Sequence, residues 1–297
     1  MEKLLILGAG KIGSALATVL RDAGQSFAQW DVDPALVPGQ LPLSELAAAA
    51  DAVILCVPTT GIREAAASLA PHLKPDAFVL TVSKGIVPET TQFADELLAT
   101  AFPMQHIGLL YGPMLAEEIL QTKLGAATVA TTDRAAYERL ASYFAGSRLM
   151  LEYSDDVRGV AALGVLKNIY AVGTGVAVGL ELGGNAIGWL LGSALREIPE
   201  LLVALGGKSE TLFTSAGAAD LIATALSPTS KNHQYGIALA TGGECGFAEG
   251  AAAYNSLRTR LHDHHDLPVF QAIGTCLTAG GDPRTTFSAL FSHHPRA

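Results

Sequence analysis

Short, unbroken apolar runs alternate with amphipathic stretches over the first half of the chain. Residues 4–7 are all apolar, and residues 26–30, 52–57, 77–82, 106–111, 126–131 and 148–153 repeat the pattern with polar or glycine punctuation between them. Runs of this length between turn signals predict strands, most of them buried on both faces. The intervening segments predict helices, among them 14–20, 44–50 with Ser44 as its cap, and 62–69. Such alternation predicts an α/β fold, a doubly wound parallel sheet whose ligands gather at the carboxyl ends of its strands. The pattern changes at Ser154-Asp155-Asp156, a sequence suited to opening a helix. Beyond it the chain is rich in alanine and leucine and is punctuated by Gly183-Gly184, Gly206-Gly207, Gly242-Gly243 and Gly280-Gly281. An all-helical second domain is expected over 154–297, following a first domain over 1–153, with the site in the cleft between them.

Composition narrows the class. Apolar residues make up 49% of the 297, enough for sizeable cores, and a charged content of 16% excludes a disordered chain. A net charge of −9 argues against general binding to nucleic acid or to anionic membrane. Cys56, Cys245 and Cys276 are odd in number and far apart, which gives neither a disulfide framework nor a metal spacing and fits a reducing cytoplasm. The apolar stretch 169–191 is interrupted by Glu181, Asn185 and several glycines, so it predicts a buried helix pair and no membrane insertion. The N-terminal apolar run is only four residues long and is broken by glycines and Lys11, so no signal peptide is read there.

The most informative chemistry begins at Gly8-Ala9-Gly10-Lys11-Ile12-Gly13. In a strand–turn–helix context this G-x-G-x-x-G spacing predicts a Rossmann-type dinucleotide site. Gly8 serves the tight turn, Gly10 the approach to a pyrophosphate and Gly13 the packing of helix on strand. Asp31 ends the second strand, 23 residues after Gly8, where a carboxylate would accept hydrogen bonds from the adenosine ribose and repel a 2′-phosphate. NAD is therefore expected over NADP; the plainer reading of Asp31 is a solvated turn acid before Asp33-Pro34. Lys84 and Gly112 follow strand ends.

Lys167-Asn168 lies inside an apolar helical stretch, where a lysine is costly unless paired or useful. A desolvated lysine exchanges a proton near neutral pH, which suits a general acid/base, against the alternative of a lysine snorkelling from a helix edge. Asp220, among small apolar residues, could orient Lys167 or a substrate hydroxyl. Ser230, Lys231 and Asn232 sit at a turn opening a helix and suit a phosphate, or are an ordinary capped helix start. His262-Asp263-His264-His265-Asp266 reads as a helix end rather than a metal site, and His293-His294 as solvated. Glu117 and Glu118 are adjacent on a helix and point apart, so shared acid/base work is not expected of them.

Taken in order, these blocks resemble the NAD(P)-dependent glycerol-3-phosphate dehydrogenase family along nearly the whole chain. The resemblance runs through the glycine turn, Val57-Pro58 with Arg63, Ser83-Lys84-Gly85, and 112–118. It continues through Lys167-Asn168, Gly183-Gly184-Asn185, 217–224, Ser230-Lys231-Asn232 and Glu249-Gly250. It implies an enzyme that interconverts dihydroxyacetone phosphate and sn-glycerol 3-phosphate by hydride transfer with NAD(H), feeding glycerophospholipid synthesis. Lys167, Asp220 and Lys84 would be its catalytic residues. Gly8, Gly10, Lys11, Ile12, Gly13, Asp31, Pro58, Lys84, Ala116, Lys231 and Glu249 would meet the cofactor. Lys84, Gly112, Asn168, Asp220, Thr224, Ser230, Lys231 and Asn232 would hold the small phosphorylated substrate. By analogy with enzymes of this design, a homodimer is expected.

The chain also departs from the family pattern. Lys231 stands in place of an arginine and loses its bidentate fork. Met114 stands where many bacterial members have serine, which would remove a hydroxyl near the substrate. Lys11-Ile12 replaces a small polar and aromatic pair. No arginine follows Trp30 to accept a 2′-phosphate. The segment between Asn232 and Glu249 is short. Lys231 and Met114 motivate one alternative, a related dehydrogenase of another small hydroxy or keto acid; a non-catalytic dinucleotide sensor is the other.

Overall fold

The computed structural model describes residues 3–261, 267–278 and 280–292. The chain divides into two compact units, Met1–Lys84 with Gln92–Ala161 and Gly85–Thr91 with Ala162–Ala297. The first unit runs β1 (Leu4–Leu7), α1 (Lys11–Asp22), β2 (Phe27–Trp30), α2 (Leu43–Ala49), β3 (Ala52–Leu55), α3 (Ile62–Leu69), β4 (Phe78–Thr81), α4 (Ala94–Leu98), β5 (Ile107–Tyr111), α5 (Ala116–Leu120), β6 (Gly125–Ala130), α6 (Arg134–Tyr143) and β7 (Leu149–Ser154). The strands form one sheet in the order β2-β1-β3-β4-β5-β6-β7. Leu4 pairs with both Phe27 and Ala52, so β1 lies inside the sheet and the reversal of strand order falls beside the glycine turn. Leu4, Ile6, Leu16, Leu20, Ile54 and Leu80 belong to one core, as the apolar runs require.

One pairing breaks the expected parallel rule. β5 and β6 are antiparallel, with Leu109 opposite Ala130. Only the five-residue α5 interrupts the connection. A helix of that length advances the chain by only about 8 Å, so the chain re-enters the sheet from the end at which it left. Ser44 does not cap α2 either; Pro42 occupies the cap and Ser44 lies inside the helix.

The second unit is helical: α7 (Val157–Gly179), α8 (Gly183–Ala204), α9 (Asp220–Leu226), α10 (Lys231–Thr241), α11 (Glu249–Arg260), α12 (Pro268–Thr278) and α13 (Pro283–Ser292). Ser154 is the last residue of β7 rather than a helix start. The side chain of Asp156 instead accepts the Gly159 N–H at 2.9 Å, within the first turn of α7. The boundary expected after Tyr153 thus meets a chain that turns from strand to helix within three residues, while the division into units falls inside α7. α7 is long and apolar enough to cross a membrane, yet its most apolar window is wholly buried within the protein. Its glycines explain how close its neighbours come. A Cβ on Gly175 would lie 2.0 Å from the His233 carbonyl oxygen, and one on Gly236 2.1 Å from that of Val172, so α7 and α10 meet backbone to backbone.

Candidate active site

The glycine turn sorts its three glycines by what surrounds them. A Cβ on Gly8 would lie 2.6 Å from the Cys56 carbonyl oxygen, and one on Gly13 2.0 Å from that of Gly8. Gly8 also has a φ of +110°, which side chains rarely tolerate. Around Gly10 nothing lies within 4 Å. Gly8 and Gly13 are thus fixed by packing, and Gly10 leaves open the face where a diphosphate would meet the α1 N-terminus.

Beside the turn is a cavity of about 280 Å³, lined by Gly8, Trp30, Asp31, Val57 and Pro58 among others. Asp31 is more than a solvated turn acid. One of its carboxylate oxygens accepts the Ala9 N–H at 2.6 Å and the other accepts the Asp33 N–H at 2.9 Å. Gln40 bonds both backbone groups of Asp31. A carboxylate has about four acceptor sites, so two occupied ones leave capacity for a ribose. The open face, the cavity and the fixed carboxylate fit a dinucleotide. Ile12 packs against the core. Lys11 Nζ donates to Glu117 on α5 at 2.8 Å, next to Ala116 at the helix start.

Lys84 lies just beyond β4. Its Nζ donates to the Gly112 carbonyl at 3.0 Å and sits 5.5 Å from the centroid of the Tyr111 ring. Behind it the Tyr111 hydroxyl donates to the Ser83 carbonyl and the Ser83 hydroxyl to the Val57 carbonyl, which ties β3, β4 and β5 together at their carboxyl ends. Met114 does not remove a hydroxyl from a site surface. It is buried in the core of the first unit with Leu110 and Ile119, so this departure is one of packing.

In the second unit Lys167 is 7% exposed and Asp220 2%. Lys167 Nζ donates to Asp220 Oδ1 at 2.9 Å and to Thr224 Oγ1 at 2.8 Å. Burial rules out the snorkelling alternative. Asp220 and Thr224 are four apart on α9 and share a face, and the Thr224 hydroxyl donates to Asp220 Oδ1 at 3.3 Å. Local distortion sets this up: residues 215–219 form a π-type turn with a non-helical Gly217, and α9 proper begins at Asp220. The result is an ammonium seated between a carboxylate and a hydroxyl away from water, an arrangement that can hold or pass a proton.

The other predicted residues interlock around the same helix. Asn168 donates to Glu249 at 3.1 Å, and Asn232 Oδ1 accepts the Gly250 N–H at 2.8 Å. A Cβ on Gly250 would lie 2.3 Å from the Asn168 carbonyl oxygen. The starts of α10 and α11 are therefore pinned to α7 beside Lys167. Ser230 accepts the His233 N–H and caps α10, as the plainer reading of that turn has it. Lys231 is exposed and lines a cavity of about 330 Å³ with Gln234, Tyr235, Glu244 and Phe247. His233 is buried with Nδ1 lacking a partner, and burial lowers its pKa below the usual imidazole value.

Reading the sequence alone missed Glu197. This buried carboxylate accepts the Tyr170 hydroxyl at 2.7 Å and the N–H groups of Val269 and Phe270 at 2.8 and 2.9 Å, which caps α12. Its only sequence signal is a charge inside an apolar helix two residues before Pro199. Among the described residues no cluster of His, Cys, Asp and Glu could hold a metal. The segment 262–266 and His293-His294 lie outside the described residues.

A Rossmann-type sheet with an open glycine turn, joined in one chain to helices carrying a buried lysine–carboxylate pair, defines a dinucleotide-dependent dehydrogenase. Two family models match this chain: the NAD-dependent glycerol-3-phosphate dehydrogenase N-terminus over residues 37–137 and its C-terminus over 156–288. The chain belongs to the NAD-dependent glycerol-3-phosphate dehydrogenase family. It is 32% identical to the glycerol-3-phosphate dehydrogenase [NAD(P)+] of Agrobacterium fabrum, over 98% of this chain and 97% of that one. Its identity to the enzyme of the same name from Ectopseudomonas mendocina is 34%, over 82% and 77%. The crystal structure of glycerol-3-phosphate dehydrogenase from Coxiella burnetii superposes with a TM-score of 0.83 at 25% identity, covering 98% of this chain and 99% of that one.

Proposed function

We propose that the protein interconverts dihydroxyacetone phosphate and sn-glycerol 3-phosphate with NAD(H). The observation that carries this reading is the buried Lys167–Asp220–Thr224 cluster in a chain that also holds a dinucleotide turn. When bound, the nicotinamide supplies the hydride for the reduction and accepts it in the reverse direction. Lys167 Nζ holds the proton that goes to the C2 oxygen of the substrate and takes it back on oxidation. Asp220 Oδ1 and Thr224 Oγ1 fix the ammonium, and Asp220 also serves a substrate hydroxyl. Lys84 brings positive charge to stabilise the developing alkoxide. Lys231 neutralises the substrate phosphate, while Ser230 and Asn232 set the starts of the two helices beside it.

Asp31 favours NAD, because a 2′-phosphate would face a carboxylate already anchored to the glycine turn. The name of the relatives, glycerol-3-phosphate dehydrogenase [NAD(P)+], covers both cofactors, so the preference rests on Asp31 of this chain. A cytoplasmic homodimer supplying sn-glycerol 3-phosphate to glycerophospholipid synthesis completes the proposal. Lys231 is the one remaining observation for a different hydroxy or keto acid, since a lysine grips phosphate as a point charge without a fork. The deciding experiment is NADH oxidation with dihydroxyacetone phosphate, beside unphosphorylated dihydroxyacetone and beside NADPH. Turnover that needs the phosphate and prefers NADH supports the proposal. Equal rates on the two ketones remove the substrate assignment, and equal rates with NADPH remove the role given to Asp31.

A further inference from the structure

Lys11 is the first residue of α1, one peptide after Gly10, so its ammonium sits at the helix end that carries partial positive charge and unpaired N–H groups. A cation there is locally unfavourable unless an anion balances it. The structure provides one from another element: Glu117, in the first turn of α5, accepts from Lys11 Nζ at 2.8 Å. Both side chains are largely exposed, 79% and 53%, so the pair is loosely held and readily exchanged. The Lys11 ammonium, by its hydrogen bond and its charge, holds the Glu117 carboxyl below its usual pKa. Glu117 thus engages the Lys11 ammonium, which follows the turn whose open face, at Gly10, suits a diphosphate.

We infer that Lys11 and Glu117 form an exchangeable latch on the dinucleotide site, with Glu117 occupying Lys11 in the free protein and the cofactor diphosphate displacing it. The inference rests on the dinucleotide reading of the glycine turn and adds two side chains that set how tightly the cofactor is held. Lys11 contributes binding only after it leaves Glu117, so Glu117 weakens cofactor affinity and hastens release. The exchange trades a single carboxylate for a diphosphate of higher charge and needs no backbone movement, since the lysine stem is free to turn.

The test is a binding cycle read by the NADH fluorescence change, with ADP and adenosine as competing probes, on Lys11→Met, Glu117→Gln and the double variant. Lys11→Met should weaken NADH and ADP by about fivefold, the order of one charge contact near water, and leave adenosine unchanged. Glu117→Gln should tighten NADH and ADP by about two- to fivefold. In the Lys11→Met background the same Glu117→Gln change should do nothing. Tightening that persists in the double variant would show Glu117 acting by direct repulsion and overturn the latch. Unchanged ADP affinity in Lys11→Met would overturn it as well. Failure of the unaltered protein to bind NADH is a separate outcome that removes the dinucleotide reading itself.

Discussion

Asp220→Leu orphans a buried ammonium, and its cost follows from the geometry. At 2.9 Å and an effective dielectric of about 20, the Lys167–Asp220 attraction is about 6 kcal/mol before desolvation. Desolvating each ion costs several kcal/mol, so the intact pair adds little net stability. Removing one partner is different, because the desolvation of the other is then uncompensated, and such losses run to about 3–5 kcal/mol. Asp220→Leu and Lys167→Met should each destabilise by that amount, a fall of roughly 1–3 M in the urea midpoint. Thr224 alone cannot replace the carboxylate charge for Lys167. The double variant removes both charges and should recover most of the loss, with a coupling energy of at least about 2 kcal/mol. The assay is urea unfolding of the four proteins followed by circular dichroism. Costs of the two single variants that simply add, or an Asp220→Leu protein within about 1 kcal/mol of the unaltered one, would refute the claim that the two residues form one buried charge pair.

Other outcomes follow from single features. Burial raises the Asp95 carboxyl to about 6 from 3.8, against the opposing pull of Arg158. The protonated form is thus favoured in the folded state, and this contribution is full below pH 3.8 and lost as pH rises through about 6. Asp95→Asn should abolish about 3 kcal/mol of that pH-dependent loss between pH 4 and 7 in unfolding titrations; an unchanged slope would contradict it. Gly13→Ala places a methyl 2.0 Å from the Gly8 carbonyl oxygen and should destabilise by at least about 2 kcal/mol and weaken NADH binding, whereas Gly10→Ala should weaken NADH binding with little effect on unfolding. Burial pushes the Cys56 thiol up to about 12, and also raises Cys276, while Cys245 is exposed. A thiol reagent on the native protein should therefore label Cys245 rapidly, the half-buried Cys56 far more slowly and the buried Cys276 only on unfolding.

What could be read from the sequence was local. Each core strand of the first unit is a short apolar run because both faces of the sheet are covered, and the glycine motif carries its meaning within six residues. Lys167 stood out because a charge in an apolar helix is costly wherever the helix packs. Asp220 stood out as a candidate partner for the same reason, but spacing alone did not join the two. Asp220 lies 53 residues away, and the contact depends on a distorted turn at Gly217 and on the crossing of two helices. The antiparallel β5–β6 pairing escaped because β6 is a short buried run like the parallel strands, and direction is set by the length of the connection. Met114 looked like a change to the site because its neighbours in sequence are site residues, yet its side chain turns into the core. Glu197 was missed because its three partners come from α7 and α12, remote in sequence from it.

The account stands or falls on Lys167 as the group that moves the proton at the substrate C2 oxygen. The most direct measurement compares Lys167→Met with the unaltered protein: kcat for dihydroxyacetone phosphate reduction and, separately, the Kd for NADH. The account predicts kcat lower by about 10²–10⁴-fold, with the Kd for NADH unchanged. A Lys167→Met protein that turns over near the normal rate while binding NADH normally would contradict it.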